Sequence, residues 1–423
     1  MSESTMFEVN RNVRILAIAY ACEPGKGSEP GAGWIWSRML ACVGETWVIT
    51  RSNNRPAIEE GLRNLSPNVS LRFAYVDLPA WARFWKRGQR GIRLYYLLWH
   101  IAALRRAHQL LGQLDFDLVW HLTLANAWLG STGSLLPQPF VYGPVAAGPG
   151  MPWRLVPALG IRGTLYESLR EVAEAAGRYV NPLARISWRR ARLILAQNEE
   201  TRRWMPSRHR SKVVLFPNTV LEDFPTVVRR HRTQLPTALF AARLMPSKGG
   251  ALAIRAATHL PEWRLLIAGR GPDEARLRRL ARRLGVEDRV QFLGWLPRTE
   301  LLRLMSEEAD VFLYPSIREA AGWVVAEAVA CDLPVVCLNR GGPPLLGGLA
   351  VAVTGQHETS RALADAVRAA FTRSTPLPRA PATDADSSLK RLLDLLRDTS
   401  WFGGQEAAVG EGGNVAGRPW RDR

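Results

Sequence analysis

Glu319 and Glu327, two carboxylates eight positions apart, are the residues whose types and spacing most clearly indicate chemistry. The apolar run 310–314 before them predicts a buried parallel strand, and the periodicity of residues 323–330 predicts a helix. Glu319 is therefore expected in the loop before that helix, and Glu327 within it. Carboxylates accept hydrogen bonds from hydroxyl groups, while the N-terminus of a helix attracts an anion. A ligand with hydroxyl groups on both sides of a diphosphate would satisfy the whole arrangement.

Arg243 and Lys248 form a second candidate pair. They follow the predicted strand 237–242, and ligands of α/β sheets bind outside the carboxyl ends of the strands. Arginine presents a planar fork to phosphate oxygens, and lysine presents a point charge. The pair therefore suits a diphosphate, with a solvated pair at a helix start as the alternative. No metal site is predicted, because Asp115 and Asp117, the one Asp-x-Asp pattern considered, lie at the opposite end of a strand from the site.

The composition is that of a globular protein with a cationic surface. The chain has 423 residues, 47% of them hydrophobic and 22% charged, which fits two domains. Its 56 Lys and Arg residues exceed its 38 Asp and Glu residues and give a formal net charge of +18. Such an excess attracts phosphate-rich partners or an anionic membrane surface, and the sequence has no nucleic-acid-binding signature.

Targeting and redox signals are few. The first residues lack the basic start and apolar stretch of a signal peptide. No run reaches the roughly 18 apolar residues of a membrane span. The four cysteines are scattered and form no C-x-x-C pair, so neither zinc nor a disulfide framework is predicted and a reducing cytoplasm is favoured.

Two features of the first half could contact a ligand. Gly31 and Gly33 lie in the loop after the predicted strand 13–22 and begin a G-x-G turn, but no third glycine completes the dinucleotide fingerprint. An ordinary flexible turn is the alternative. His121 lies near the carboxyl end of the predicted buried strand 118–123, where ligands bind. A lone histidine at such a place is also compatible with a packed, purely structural role.

Segment 81–111 mixes aromatic and basic side chains. Its aromatic residues are Trp81, Phe84, Trp85, Tyr95, Tyr96 and Trp99, and its cations include Arg83, Lys86, Arg87, Arg90 and Arg93. Aromatic rings beside cations suit a membrane interface or a lipid-linked acceptor. A core helix with a solvated basic face would have the same composition, so both interpretations stay open.

The segment around the two glutamates resembles the Glu-x7-Glu motif of retaining family-4 glycosyltransferases, also known as group 1. The likeness includes their neighbours Pro315-Ser316, Gly322, Ala328, Cys331, residues 333–336 and Gly341-Gly342-Pro343. Arg243 and Lys248 resemble the family's Arg-x4-Lys-Gly motif. Ala320 and Asp332 depart from the pattern, since glycine is common at both places. Aspartate tolerates the left-handed conformation at the end of a helix, so the second departure is mild.

The resemblance implies the GT-B fold, an α/β arrangement of two Rossmann-like domains that face a cleft, and it assigns roles to residues. Glu319, Arg243, Lys248 and His121 would be catalytic. The donor would be bound by Glu327, Gly31, Gly33, Gly269, Gly271, Trp295, Leu296, Gly322 and Trp323. Gly143 and Pro144 would lie on the acceptor side.

The same likeness predicts the domain boundaries. Residues 13–221 would form the acceptor domain, 222–236 a linker, and 237–372 the nucleotide-sugar domain, in which strands and helices alternate. Residues 373–402 would form a loop and a helix that crosses back onto the first domain. Residues 403–423 are glycine-rich without periodicity and are predicted to be disordered.

The predicted function is a retaining, metal-independent glycosyltransferase. It would move a sugar from a nucleoside-diphosphate sugar to a glycan or lipid-linked acceptor in cell-surface polysaccharide synthesis, with no cofactor and no nucleic acid. The expected location is the cytoplasm, with an anionic membrane surface as a further partner at the inner face of the membrane. A GT-B-like nucleotide-sugar epimerase and an inactive scaffold of a polysaccharide assembly complex remain alternatives.

Overall fold

The computed structural model describes residues 13–66, 69–82, 92–124, 126–147, 149–221, 235–372 and 384–398. Several predicted segments lie outside this part of the chain. They are most of the linker (222–234), residues 83–91 of the aromatic and basic segment, residues 373–383 and 399–402, and the tail 403–423.

The first domain is built on a seven-stranded sheet. Its strands are β1 (Arg14–Ala19), β2 (Glu45–Arg51), β3 (Leu71–Val76), β4 (Leu118–Thr123), β5 (Phe140–Val145), β6 (Ala191–Ala196) and β7 (Val213–Leu215). The strand order is β3-β2-β1-β4-β5-β6-β7, and every neighbouring pair is parallel. The central strands are almost continuously apolar because both faces of a parallel sheet are covered by helices.

Six helices belong to this domain in the described part of the chain. They are α1 (Ser28–Ala41), α2 (Arg55–Arg63), α3 (Ile92–Leu111), α4 (Val156–Val180), α5 (Pro182–Arg190) and α6 (Glu199–Trp204). Asn181 and Asn198 cap the last two, each accepting hydrogen bonds from backbone N–H groups of the first turn. α4 is interrupted at Gly160, whose φ of 68° is not helical, so its regular part begins at Ile161.

The structure decides the role of the described aromatic residues of segment 81–111. Tyr95, Tyr96 and Trp99 are buried and pack edge-on against Tyr20 of the first domain. They cannot contact a membrane, so this face of α3 belongs to the core. Trp81 is exposed. No described helix is both long and apolar enough to cross a bilayer.

The second domain has a six-stranded parallel sheet in the order β10-β9-β8-β11-β12-β13. Its strands are β8 (Thr237–Ala241), β9 (Arg264–Ala268), β10 (Val290–Gly294), β11 (Val311–Tyr314), β12 (Val335–Leu338) and β13 (Leu349–Val351). Its helices are α7 (Gly250–Ala257), α8 (Glu274–Arg283), α9 (Arg298–Glu307), α10 (Trp323–Ala330) and α11 (Gln356–Thr372). Asp332, just after α10, has a φ of 52° and takes the predicted left-handed conformation.

The two sheets share one topology. In each sheet, the second and third strands are added on one side of the first strand, and the fourth strand is added on its other side. The strand order therefore reverses between β1 and β4 in the first sheet and between β8 and β11 in the second, and each of these places is a topological switch point. Open α/β sheets bind ligands outside the carboxyl ends of the strands at such a point. The fold class predicted from the sequence, two Rossmann-like domains, is confirmed.

The last described helix, α12 (Ala385–Asp398), returns to the first domain. Its side chains Leu389, Leu392 and Leu396 are buried in the same apolar cluster as α1. Leucines at positions i, i+3 and i+7 share one face of a helix, which explains why this amphipathic segment docks there. The chain thus begins and ends, in its described part, on the same domain.

Candidate active site

A cavity of about 650 Å³ lies between the two domains. Most of its lining comes from the carboxyl ends of β8, β9 and β11 and from the N-terminus of α10, which together form the switch point of the second sheet. Gly27 and Ser28, at the start of α1, contribute the lining from the first domain. The cavity therefore lies where this topology binds ligands.

Three cations line the cavity: Arg243, Lys248 and Arg270. Arg243 is exposed and makes no side-chain hydrogen bond or ion pair within the described residues, so its guanidinium is available to a ligand. The N-terminus of α10 adds partial positive charge, because its backbone N–H groups have no side-chain cap and Gly322 precedes it in the left-handed conformation. This side of the cavity is suited to an anion.

Glu319 lies at the same site and stays negatively charged. Its Oε2 atom accepts hydrogen bonds from Lys248 Nζ and from the Tyr314 hydroxyl, both at 2.5 Å. Burial would raise the pKa of this carboxyl group, but the charge of Lys248 and the hydrogen bonds outweigh it, so the pKa is lowered. Gly341 permits this loop, because a Cβ atom there would lie 1.8 Å from the carbonyl oxygen of Glu319.

Glu327 lines the cavity from inside α10 and is buried. Its Oε1 atom accepts a hydrogen bond from Arg298 Nε at 2.6 Å. Arg298 is the first residue of α9 and was not among the site residues predicted from the sequence. The ion pair holds the carboxylate in one orientation, and its second oxygen is left to accept from other donors.

The structure brings eight of the predicted site residues to the cavity. They are Arg243, Lys248, Gly269, Trp295, Leu296, Glu319, Trp323 and Glu327. The others, which are not part of its lining, are Gly31, Gly33, His121, Gly143, Pro144, Gly271 and Gly322. Gly322 nonetheless shapes the site, since it precedes α10 with a φ of 94°.

His121 has surroundings typical of a packed residue. It is fully buried, with its ring stacked on His100 at 5.5 Å and tilted against Tyr142 at 5.4 Å. Burial, together with the neighbouring His100, lowers its pKa well below the usual value and keeps the imidazole neutral.

The remaining predicted glycines of the first domain serve close packing. A Cβ atom at Gly31 would lie 1.8 Å from the backbone oxygen of Lys26, and one at Gly33 would lie 2.0 Å from that of Ala21. Gly31 is thus required by the tight turn that leads into α1, and Gly33 is required where α1 approaches the end of β1. Gly143 and Pro144, predicted on the acceptor side, are buried within β5.

A buried ion-pair cluster joins the loop that contains Glu319 to the first domain. The guanidinium of Arg318 contacts Glu174 at 2.6 Å, Glu167 at 3.3 Å and Glu171 at 3.4 Å, all on α4. Only 3% of the Arg318 side chain is exposed. A charge buried to this extent needs partners, and here they lie about 150 positions earlier in the chain. We call these four residues the Arg318 cluster.

Two further hydrogen bonds cross the cleft beside this cluster. Asn198 Nδ2 donates to the backbone oxygen of Ala320 at 2.9 Å, and Glu200 accepts from the backbone N–H of Gly341 at 2.8 Å. Together with the Arg318 cluster, they fix the loop on both sides of Glu319. The first domain therefore determines the position of a carboxylate that belongs to the second.

Within the described residues, no group of three or more His, Cys, Asp and Glu side chains could hold a metal ion. The charges that line the cavity are instead three cations and two carboxylates, each carboxylate paired with a cation. Such a site can bind a diphosphate through its cations and hydroxyl groups through its carboxylates.

Comparison with known families agrees with the resemblance inferred from the sequence. Residues 209–384 match the family described as glycosyl transferases group 1. The D-inositol 3-phosphate glycosyltransferase of Mycolicibacterium smegmatis is 39% identical over 127 residues, which is 28% of this chain and 29% of that protein. The chain thus spans about a third of the length of the curated relatives it matches. The resemblance is confirmed for the second domain, where the Glu-x7-Glu motif lies.

Solved structures resemble nearly the whole chain. The HepE protein of Anabaena, in complex with UDP and glucose, has a TM-score of 0.57 and 17% identity and covers 91% of this chain and 99% of its own. The lipopolysaccharide outer core galactosyltransferase WaaB, without ligand, has a TM-score of 0.55 and 13% identity, covering 91% and 99%. At such identities the likeness establishes the fold, with both domains included.

Proposed function

We propose that this chain, whose second domain belongs to the group 1 glycosyl transferases, transfers a sugar from a nucleoside-diphosphate sugar to an acceptor. The observation that carries this proposal is the cavity at the switch point of the second sheet. There, Arg243, Lys248 and the start of α10 provide positive charge between two carboxylates. This is the arrangement that a diphosphate between two hydroxyl-bearing groups requires. The UDP and glucose of the HepE complex support the same donor class.

Each group in the cavity has a role in this reaction. Glu327, held by Arg298, accepts hydrogen bonds from the ribose hydroxyls. Glu319, held by Lys248 and Tyr314, accepts from a hydroxyl of the donor sugar. Arg243 and Lys248 stabilise the negative charge that develops on the diphosphate as it leaves. Trp295 and Leu296 contact the nucleobase.

The reaction proceeds with retention. The bond between the anomeric carbon and the donor phosphate breaks, and the acceptor oxygen bonds to that carbon on the same face. The acceptor proton passes to the leaving phosphate oxygen. No protein base is then needed, which agrees with the environment of His121, a neutral ring enclosed by the core. The charge on the sugar in the transition state is stabilised by Glu319.

The proposed acceptor is a glycan or a lipid-linked sugar in cell-surface polysaccharide synthesis, at the cytoplasmic face of the membrane. The lipopolysaccharide role named for WaaB and the inositol phosphate acceptor named for the mycobacterial relatives are both compatible with a hydroxyl acceptor close to an anionic group. The formal charge of +18 favours an acceptor that lies close to anionic groups.

A nucleoside diphosphate should raise the thermal unfolding temperature in the absence of added metal, because Arg243 and Lys248 supply the charge that a metal supplies in other enzymes. At about 100 times its dissociation constant, a ligand adds roughly 2.7 kcal/mol of stability. The measurement is a thermal-shift screen of nucleoside diphosphates with and without a chelator. An Arg243→Met variant should lose the shift. Loss of the shift in chelator alone would contradict metal independence.

Replacing Glu327 by alanine should raise the Michaelis constant for the donor more than it lowers turnover. The ribose is the same in the ground and transition states, so the lost hydrogen bonds weaken both equally. Arg298→Ala should change the same constant in the same direction but less, since it orients Glu327 without touching the ribose. Steady-state kinetics on both variants checks this. A large fall in turnover with an unchanged Michaelis constant would refute the role.

A further inference from the structure

The amphipathic character of α4 is reversed with respect to a normal surface helix. Its carboxylates Glu167 and Glu174 are buried against Arg318. Six of the large apolar side chains in its regular part point outward and are each at least 62% exposed: Ile161, Leu165, Leu169, Val172, Tyr179 and Val180. We call these six residues the outer face of α4. A surface helix usually buries its apolar stripe and exposes its charges.

The outer face is continuous along the helix. Ile161, Leu165, Leu169 and Val172 are spaced by four, four and three residues, which places them on one side of the helix. From Ile161 to Val180 the regular helix is about 30 Å long. A contiguous exposed apolar stripe of this kind marks an interaction surface in a folded protein.

The charges around this stripe are positive. Arg162 is exposed on the helix itself, and Arg154 is exposed just before it, next to the exposed Trp153. At the other end Arg185 is exposed and donates to the backbone oxygen of Tyr179. Glu167 and Glu174 are buried and pair with Arg318 and Arg170, and Glu171, whose side chain is 30% exposed, is neutralised by the guanidinium of Arg318 at 3.4 Å. The outer face therefore offers apolar contact and cations, and each of the three carboxylates of α4 is paired with an arginine.

The same charges argue against a second copy of the chain as the partner. Two copies of α4 packed about a two-fold axis would run antiparallel, so Arg162 of one would approach the end of the other helix that holds Arg185. Like charges would meet at both ends of the pair, while the carboxylates of α4 are already paired with Arg318 or Arg170, which opposes association. An anionic bilayer instead supplies both an apolar boundary and negative headgroups.

We infer that the outer face of α4 docks on an anionic lipid bilayer. The helix lies in the plane of the interface, with the apolar side chains toward the acyl boundary and the flanking arginines among the headgroups. Its inner carboxylates hold Arg318, the neighbour of Glu319. The docked helix thus brings the cleft to the membrane. Docking of α4 on a bilayer does not depend on the proposed sugar transfer. The functional value of placing the cleft at the membrane does rest on that proposed function.

The test is flotation of the full chain with vesicles of phosphatidylcholine alone or with phosphatidylglycerol, at rising salt. The wild type should float with anionic vesicles only, and less as salt shortens the Debye length from about 10 Å at 0.1 M. Leu165→Asp/Leu169→Asp should weaken this binding about tenfold or more. The matched control is Leu97→Asp/Ile101→Asp, two exposed apolar residues of α3 with the same spacing, which adds the same charge. The control should bind as the wild type does.

Three outcomes would overturn the inference: equal recovery from neutral and anionic vesicles, an equal loss in the α3 control, or a dimer seen by light scattering that the α4 variant disrupts. The α4 variant should melt at the wild-type temperature, since both leucines are exposed. The rise in its unfolding temperature on addition of a nucleoside diphosphate should also equal that of the wild type. If no diphosphate shifts any variant while vesicle binding follows α4, the proposed function fails and the docking surface stands.

Discussion

Replacing Glu319 by glutamine is expected to lower turnover by about 2–4 kcal/mol in activation free energy, on the scale of other electrostatic stabilisers of a transition state. The substitution keeps the shape of the side chain and removes its charge. Lys248 and Tyr314 hold the carboxylate ionised in the cavity, with its pKa lowered despite burial. Its charge acts most strongly when the donor sugar becomes cationic, so turnover should suffer more than donor binding.

The measurement is steady-state kinetics of Glu319→Gln with circular dichroism as a check of folding. Glu300→Gln is the matched control, because that carboxylate is paired with an arginine on the surface of α9 rather than in the cavity. The control should have wild-type kinetics. If Glu319→Gln keeps full turnover, the Glu-x7-Glu segment is structural rather than catalytic.

Replacing Arg318 by methionine is expected to destabilise the protein by about 3–5 kcal/mol, the usual effect of removing one partner of a buried ion pair. Methionine fills much of the same space but leaves Glu167, Glu171 and Glu174 without the guanidinium that they share. Turnover should fall as well, since the loop that positions Glu319 loses its main contact with the first domain. Arg318 is a positioning residue in this respect.

The chain provides a matched control for this substitution. Arg303 also pairs with three glutamates, Glu300, Glu307 and Glu308, but its side chain is 44% exposed. Exposed ion pairs contribute about 0–1 kcal/mol, so Arg303→Met should melt close to the wild type and keep its turnover. Adding Glu174→Gln to Arg318→Met should recover part of the lost stability. Equal effects of the two arginine substitutions, in melting temperature and turnover, would show that the Arg318 cluster has no special role.

The sequence predicted the second domain and its carboxylates well for a physical reason. Arg243, Lys248 and Glu319 follow strongly apolar strands, so local periodicity was enough to place them at the carboxyl edge of the sheet, and the helical period of 323–330 placed Glu327. The structure brings all four to one cavity. Arg298 was missed because nothing within a few residues of it signals an ion pair with Glu327, 29 positions later.

The contribution of the first domain could not be predicted in the same way. The partners of Arg318 lie about 150 positions earlier, and no local pattern reports a contact of that kind. Gly31 and Gly33 matched part of a phosphate-binding turn, yet glycine is also required wherever backbone segments approach closely, as Gly31 does to Lys26 and Gly33 to Ala21. Gly27 and Ser28, a few residues before them, reach the cavity instead.

Composition alone also could not show which side chains of a helix face the core and which face solvent. α3 is rich in aromatic residues because Tyr95, Tyr96 and Trp99 fill the core. α4 has glutamates and apolar residues in the proportions of an ordinary amphipathic helix, but it turns the glutamates inward. The reversal depends on one buried arginine from the other domain. The inward orientation of these glutamates is therefore determined by the contact between the two domains and not by the sequence of α4 alone.

The most direct test of the central claim is the release of nucleoside diphosphate from a panel of nucleotide sugars, without acceptor and without added metal. The wild type should hydrolyse one donor slowly and release its diphosphate, because the cavity activates the bond to phosphate even when water is the acceptor. Glu319→Gln should release it at least about tenfold more slowly, and Glu300→Gln should match the wild type. Equal release by wild type and Glu319→Gln, no release from any donor, or conversion of the donor to an epimer would contradict glycosyl transfer at this site.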